Sequence, residues 1–268
     1  MDSSPELSIV VLHYNRWDLT KDCVASIDAQ EIPCSYEKVL VDHGSTNSSL
    51  FYDPNYAPIG WRLVSYEDNR GHIVGQNRCF ESAKGEWVLF VANDVRFTLD
   101  CIWKLWRART EGQLGMIQPK LISPDGLVDN LGLAYLWPGY GLSNKDNIQV
   151  LLSLDACSST CYLMKKHLWQ EIEGFDESLE SSYEDIDMGL RLQAKGLACY
   201  AHAGAEATHL GNATLRHMPS HNRAAFHRDR VYIVKKHYRG FDRALRLAAI
   251  TLIDSTVHLG RQITGHSG

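Results

Sequence analysis

Apolar positions up to Asp94 follow two alternating patterns. Leu7 to Leu12, Lys38 to Val41, Arg62 to Tyr66 and Trp87 to Ala92 are short apolar runs, which read as buried strands. Between them the spacing lengthens. Leu19, Cys23 and Ile27 recur every fourth residue within Asn15 to Gln30, marking the apolar face of a helix. Ile73 to Lys84 is helical in pattern, and Gly85 is read as its cap. Strand and helix therefore alternate, which predicts an α/β fold with a mostly parallel sheet flanked by helices.

The middle of the chain is less regular. Ser123-Pro124-Asp125-Gly126 is a turn signal joining two strands, and Leu151 to Met164 mixes apolar with small polar residues. Lys166 to Ile172 reads as helix, broken at Gly174-Phe175-Asp176. Asp185 to Lys195 reads as a helix with Ile186, Leu190 and Ala194 on one face and Gly196 as its cap, and Ala198 to Ala201 as a last strand. From Ala224 helix dominates. Phe241, Leu245, Ala248 and Leu252 form an apolar stripe within Phe241 to Ile263, flanked by Arg239, Arg243, Arg246 and Arg261. Such a stripe packs on the rest of the protein, forms a homodimer contact, or lies peripherally on a membrane surface.

Composition narrows the class. The chain has 268 residues, a net charge of −5 and a pI near 6.2, without the basic footprint of a nucleic-acid binder. Its opening is polar and reads as no secretory leader. The densest apolar run, Trp87 to Ala92, is far shorter than the ~20 residues of a membrane span. Seven cysteines, an odd number without CxxC spacing, read as reduced thiols of a cytoplasmic protein.

Candidate chemistry sits where strands end. In parallel α/β sheets, ligands bind outside the carboxyl ends of the strands. Asp42 follows the second strand and Asn93-Asp94 follow the fourth. A carboxylate at the end of a buried strand is costly unless solvated, paired or bound to a metal. Asp94 is therefore either a turn residue or an anchor for Mn2+ or Mg2+. Ser182-Tyr183-Glu184-Asp185-Ile186-Asp187 opens an amphipathic segment. Its carboxylates cap a helix dipole, or raise one another's pKa as a general base requires. His209 is a metal ligand or a surface histidine.

Taken in order, these segments resemble glycosyltransferase family 2, with its GT-A fold, and are most similar to rhamnosyltransferase-like bacterial members that build polysaccharides. The resemblance runs from about Leu7 to Arg230. Ser8-Ile9-Val10-Val11-Leu12-His13-Tyr14-Asn15 resembles the opening strand, and Val41-Asp42-His43-Gly44-Ser45-Thr46-Asn47 the D-N-G-S-T-D loop. Asn69-Arg70-Gly71, Gln76-Asn77 and Ala83 to Phe90 resemble the approach to the metal motif, and Ala92-Asn93-Asp94-Val95 the motif itself. Asp155 with Ser158 to Lys166, then Gly174 to Glu177, resembles the acceptor side. Tyr183 to Asp187, with Arg191, resembles the E-D motif, and His209 falls where members place a histidine. Ala92 departs from the pattern, since its methyl group ligates nothing. His43 and Asn47 replace the usual Asn and Asp, and Ser159 a common Gly.

The resemblance implies an inverting glycosyltransferase with a nucleotide-diphosphate-sugar donor, a saccharide or lipid-linked saccharide acceptor and Mn2+ or Mg2+. It implies a catalytic domain over residues 1–220 and a helical extension over 221–268. Asp185, with Glu184 beside it, is the expected general base. Tyr14, Asn15, Asp42, Gly44, Asn77, Asn93 and Asp94 are expected on the donor, Asp155 and Arg191 on the acceptor side, and Asp94 and His209 on the metal. Arg223, Arg228 and Arg230 either close over phosphates or form a solvated helix face. The alternative is a catalytically weak nucleotide-sugar-binding homologue, which Ala92 motivates. A dinucleotide-dependent oxidoreductase would need G-x-G-x-x-G after the first strand, and His13-Tyr14-Asn15-Arg16 stands there instead.

Overall fold

The computed structural model describes residues 4–46, 58–109, 113–144, 151–180, 182–211 and 222–264. Asn47 lies outside them. Seven helices and twelve strands follow one another as β1 (Leu7–His13), α1 (Trp17–Asp28), β2 (Tyr36–His43), β3 (Arg62–Tyr66), α2 (His72–Ser82), β4 (Trp87–Ala92), β5 (Val95–Phe97) and α3 (Cys101–Ala108) among the described residues. Then come β6 (Leu114–Ile122), β7 (Val128–Asn130), β8 (Leu133–Leu136), β9 (Tyr140–Ser143), β10 (Leu151–Leu154), β11 (Cys161–Lys165), α4 (Lys166–Glu171), α5 (Glu184–Ala194), β12 (Ala198–His209), α6 (Asn222–His237) and α7 (Gly240–Thr264).

The main sheet runs β10-β12-β6-β11-β4-β1-β2-β3, with β5 on β12 and β7 on β6. Strands β3, β2, β1 and β4 are mutually parallel, as the alternating pattern predicts. β11 runs antiparallel between β4 and β6. Both faces are covered, which is why the strands read as unbroken apolar runs. Val10, Val39, Val88 and Phe90 face one core with Phe80, Trp169 and Ile186. Ile9, Val11, Leu89 and Val91 face the other with Cys23, Ile27 and Leu105. β1 is the switch point of the parallel half, since it pairs with β2 on one side and β4 on the other. The crevice at its carboxyl end is where such sheets take ligands.

Four expectations need correction. α2 stops at Ser82 and Ala83 is extended, so Gly85 is no helix cap. Its role is close approach: a Cβ there would stand 2.6 Å from the Ser8 backbone nitrogen. On α5 the buried residues include Ile186, Met188, Gly189 and Leu192, while Ala194 is exposed. The last strand continues from Ala198 to His209, twelve residues in all. Finally, the α7 stripe does not pack on the protein: Phe241 is 82% exposed, and Leu245 and Leu252 are exposed too. The packed side of α7 carries Ile250, fully buried, and Asp254, which pairs with Arg230 of α6. No helix among the described residues is long and apolar enough to cross a membrane.

Candidate active site

The ends of β1, β2 and β4 meet at the crevice, and the start of α5 is tied to β4 through residues 159 and 160. After β1, Asn15 adopts a left-handed conformation (φ 56°), tolerable for Asn because its short side chain bonds locally. Its Oδ1 accepts the Thr46 N–H at 2.8 Å, and its own N–H reaches Ser45 Oγ at 2.9 Å. Asn15 thus fastens the β1 loop to the β2 loop. Asp42, 2% exposed, is the next-to-last residue of β2 and accepts the Ser45 N–H at 3.1 Å. Gly44 (φ 75°) lets that loop lie against Asp68, whose backbone a Cβ would strike at 2.3 Å. Tyr14 stands 39% exposed at the rim. Buried His13 lies 2.6 Å from the Thr20 hydroxyl, which also accepts from Asn93 at 3.0 Å. Burial pushes the His13 imidazole down to about 4, against the pull of Asp42. Thr20 therefore ties the end of β1 to the end of β4.

Asp94 follows β4 and leads into β5. β5 pairs with β12 so that Val95 lies opposite His209. That register brings His209 Nε2 to 3.4 Å from Asp94 Oδ2. The other ring nitrogen, Nδ1, lies 2.8 Å from Asp129 Oδ2. Burial alone would push His209 down, but Asp94 and Asp129 outweigh it and hold the imidazole up at about 9. With the Nε2 proton displaced by a cation, the Asp94 carboxylate and the His209 imidazole nitrogen would form a donor pair suited to Mn2+, which accepts nitrogen more readily than Mg2+ does. Among the described residues no group of three His, Cys, Asp or Glu is placed to hold a metal. An ion here would complete its shell with phosphate oxygens and water.

The helix start comes from the other end of the chain. Tyr183 holds a left-handed conformation (φ 68°) at the N-cap of α5, an uncommon state for a bulky residue. Its ring is buried and its hydroxyl donates to the Gly139 carbonyl at 3.2 Å. The bend sends Glu184 inward, where it accepts from Ser159 Oγ at 2.7 Å. Asp185 lines a cavity of about 190 Å³ with Leu133, Gly141, Ile186 and Phe226. Burial, with the Glu184 carboxylate adding to it, pushes the Asp185 carboxyl well up. Residues 159 and 160 bridge the two halves: the Ala92 N–H donates to the Thr160 carbonyl at 2.8 Å, beside the Ser159–Glu184 bond. A larger groove of about 700 Å³, lined by Glu6, Glu86, Trp106 and Lys165, lies at the opposite ends of the strands.

Other expected site residues have different duties. Asn77 is buried and spends its amide on residues 175–177, donating to the Phe175 carbonyl and Glu177 and accepting the Phe175 N–H. It shapes that loop rather than facing a donor. Arg191 braces Asp187 at 2.7 Å and the Ile172 carbonyl. Asp155 lines a separate cleft with Ser153, Asn144 and Gln193, where it accepts the Tyr135 N–H at 2.8 Å. Arg230 is 3% exposed, locked to Asp254 and lying over the Tyr140 ring. Arg228 pairs with Glu180, and the Arg223 side chain lies outside the described residues. Asp129 went unnoticed in the sequence.

Comparison with known proteins adds to this geometry. The family model for glycosyl transferase family 2 matches residues 8–172, well over half the chain. The O-antigen biosynthesis protein RfbC of Myxococcus xanthus is 26% identical over 236 residues, covering 80% of this chain and 18% of that protein. A poly(ribitol-phosphate) beta-glucosyltransferase of Bacillus spizizenii is 30% identical over 125 residues, covering 45% of this chain and 20% of that one. The chain thus spans about a fifth of the length of each. A mannosyltransferase from Pyrobaculum calidifontis, solved with GDP-Man and Mn2+, superposes with a TM-score of 0.64 at 14% identity, over 99% of this chain and 82% of that one. GalNAc-T7, solved with UDP, GalNAc and Mn2+, gives 0.65 at 13% identity, over 78% and 44%. At such identities the likeness is one of fold.

Proposed function

The chain belongs to glycosyl transferase family 2, and from that premise we propose that it is an inverting glycosyltransferase. It moves a hexosyl- or rhamnosyl-type sugar from a nucleoside-diphosphate donor to a hydroxyl of a saccharide or lipid-linked saccharide. One observation carries the reading: Asp94 and Asp185 are 91 residues apart in sequence, yet Ala92, two residues before the first, and Glu184, next to the second, are bonded to the adjacent residues Thr160 and Ser159.

Asp185 takes the proton from the acceptor hydroxyl as its oxygen attacks the anomeric carbon. The raised basicity of its carboxyl suits that role, worth roughly 10²–10⁴-fold. The bond from the anomeric carbon to the diphosphate breaks on the opposite face, and the nucleoside diphosphate leaves. Asp94 and His209 Nε2 would hold Mn2+, which supplies electrostatic stabilisation of the leaving diphosphate. Glu184, tied to Ser159, fixes the start of α5 and so aims Asp185. Tyr14 and Asp42 face the base of the donor, and Asn93 lies towards its ribose or phosphates.

A panel of nucleotide sugars tested for hydrolysis and for thermal stabilisation, with and without Mn2+, identifies the donor. The anomeric configuration of the product, read by proton NMR, tests inversion. Stabilisation by a donor without release of nucleoside diphosphate to any acceptor or to water would make the protein a binding homologue instead.

A further inference from the structure

We propose that Asp129 is a positioning residue: it fixes the His209 ring so that Nε2 faces Asp94. The proposal rests on the reading of Asp94 and His209 as metal ligands.

The placement of Asp129 comes from a break in strand register. β7 pairs antiparallel with β6, Leu121 lying opposite Asn130 and Ile122 opposite Val128. One step along β6 is matched by two along β7, and Asp129 is the residue left over. Such a bulge bends its strand and re-aims a side chain that regular pairing would point elsewhere. On the other side of β6, Ile122 pairs with Thr208 of β12, so His209 is the next residue along. β6 ends at Ile122 and the chain turns away at Ser123. The re-aimed carboxylate therefore reaches His209 past the end of the intervening strand.

The contacts on the two ring nitrogens differ in kind. Asp129 Oδ2 stands 2.8 Å from Nδ1, a good hydrogen-bond length, whereas Asp94 Oδ2 stands 3.4 Å from Nε2, longer than a good one. The imidazole lies between the two carboxylates. A carboxylate accepting the Nδ1–H fixes ring orientation, so that once a cation displaces the Nε2 proton the Nε2 lone pair faces it, and loss of such a partner typically costs about 10–100-fold in metal affinity. Asp129 is 36% exposed in its side chain and contributes nothing to either core, so its removal should spare the fold.

The test uses the full chain and Mn2+ as probe, with free Mn2+ measured by electron paramagnetic resonance. Asp129→Ala should weaken Mn2+ binding about 10–100-fold with an unchanged thermal midpoint. Asp129→Asn keeps an acceptor oxygen and should recover most of the affinity. In a His209→Ala background Asp129→Ala should cost nothing further, because Asp129 acts through the ring. Wild-type affinity in Asp129→Ala overturns the proposal. So do additive losses in the double variant, which would make Asp129 a ligand in its own right. A wild-type protein that takes up no Mn2+ brings down the metal reading itself, and this proposal with it.

Discussion

Asp185 and Asp187 are two residues apart, and their amide variants should behave in opposite ways. Asp187 has a fully buried side chain that meets Arg191 Nε, Lys236 Nζ and His237 Nε2, each at 2.7 Å. It pins α5 to α6. Burial alone would push its carboxyl up, but His237, Arg191 and Lys236 outweigh that and hold it below its ordinary value. Asp187→Asn leaves Arg191 and Lys236 facing a neutral amide at a position that is itself fully buried. Removing one partner of a buried ion pair costs about 3–5 kcal/mol. For a chain of this size that lowers the melting temperature by roughly 6–20 °C. The sign with pH follows from the depressed pKa. A carboxylate titrating lower in the folded state contributes stability above its unfolded value, about 3.9, and loses it as pH falls through the folded value. Wild type should therefore shed stability in acid more steeply than Asp187→Asn. Calorimetry from pH 7 to pH 3 measures both effects. A loss under about 1 kcal/mol with an unchanged acid limb would refute the assignment.

Asp185→Asn should do the reverse. A carboxyl whose folded pKa is raised destabilises the fold once pH exceeds the unfolded value. The amide removes that burden and still accepts the Ile186 N–H that Asp185 Oδ1 accepts at 2.8 Å. The variant should melt at or above the wild-type temperature while transfer falls about 10²–10⁴-fold. Donor-induced stabilisation should persist. An active Asp185→Asn beside a dead Glu184→Gln would move the base to Glu184.

Two further predictions concern the metal and the carboxy-terminal helix. Asp94→Ala should abolish EDTA-sensitive transfer and leave the melting temperature close to wild type; full activity in that variant, or wild-type turnover indifferent to EDTA, would remove the metal role. On α7, Phe241→Ser and Leu252→Ser should each change stability by less than about 0.5 kcal/mol, whereas Ile250→Ala should cost about 2–5 kcal/mol; equal effects in urea melts would mean that the helix packs by its stripe after all.

The parallel half of the sheet was legible because burial on both faces leaves apolar runs that need no alternation to be seen. β12 was legible only in part. Its buried positions alternate through Cys199, Ala201, Ala203, Ala205 and Ala207, a clean period of two. Alanine is a poor strand former, so local preference hid what the sheet imposes. His209 was expected on the metal, but the strand pairing that sets it beside Asp94 depends on β12 continuing to its end. The α7 stripe shows the converse. An amphipathic pattern reveals an apolar face, but not whether anything covers it, and here the covered side is set by Ile250 and Asp254.

Candidate site residues were legible where they stand at strand ends, and opaque where a distant partner decides their contacts. Asn77 takes its role from Phe175, 98 residues away. Asp129 takes its role from a register shift that no local pattern encodes. The acidic stretch is the sharpest case, because its carboxylates meet different partners. Successive helical residues turn by about 100°, so Asp185 and Asp187 point about 200° apart. Glu184 is turned in towards Ser159, Asp185 opens into a cavity, and Asp187 faces Arg191, Lys236 and His237. A sequence presents these as one cluster of like charge. A helix start separates them into a support, a candidate base and a structural anion, and only the partners each one meets tell them apart.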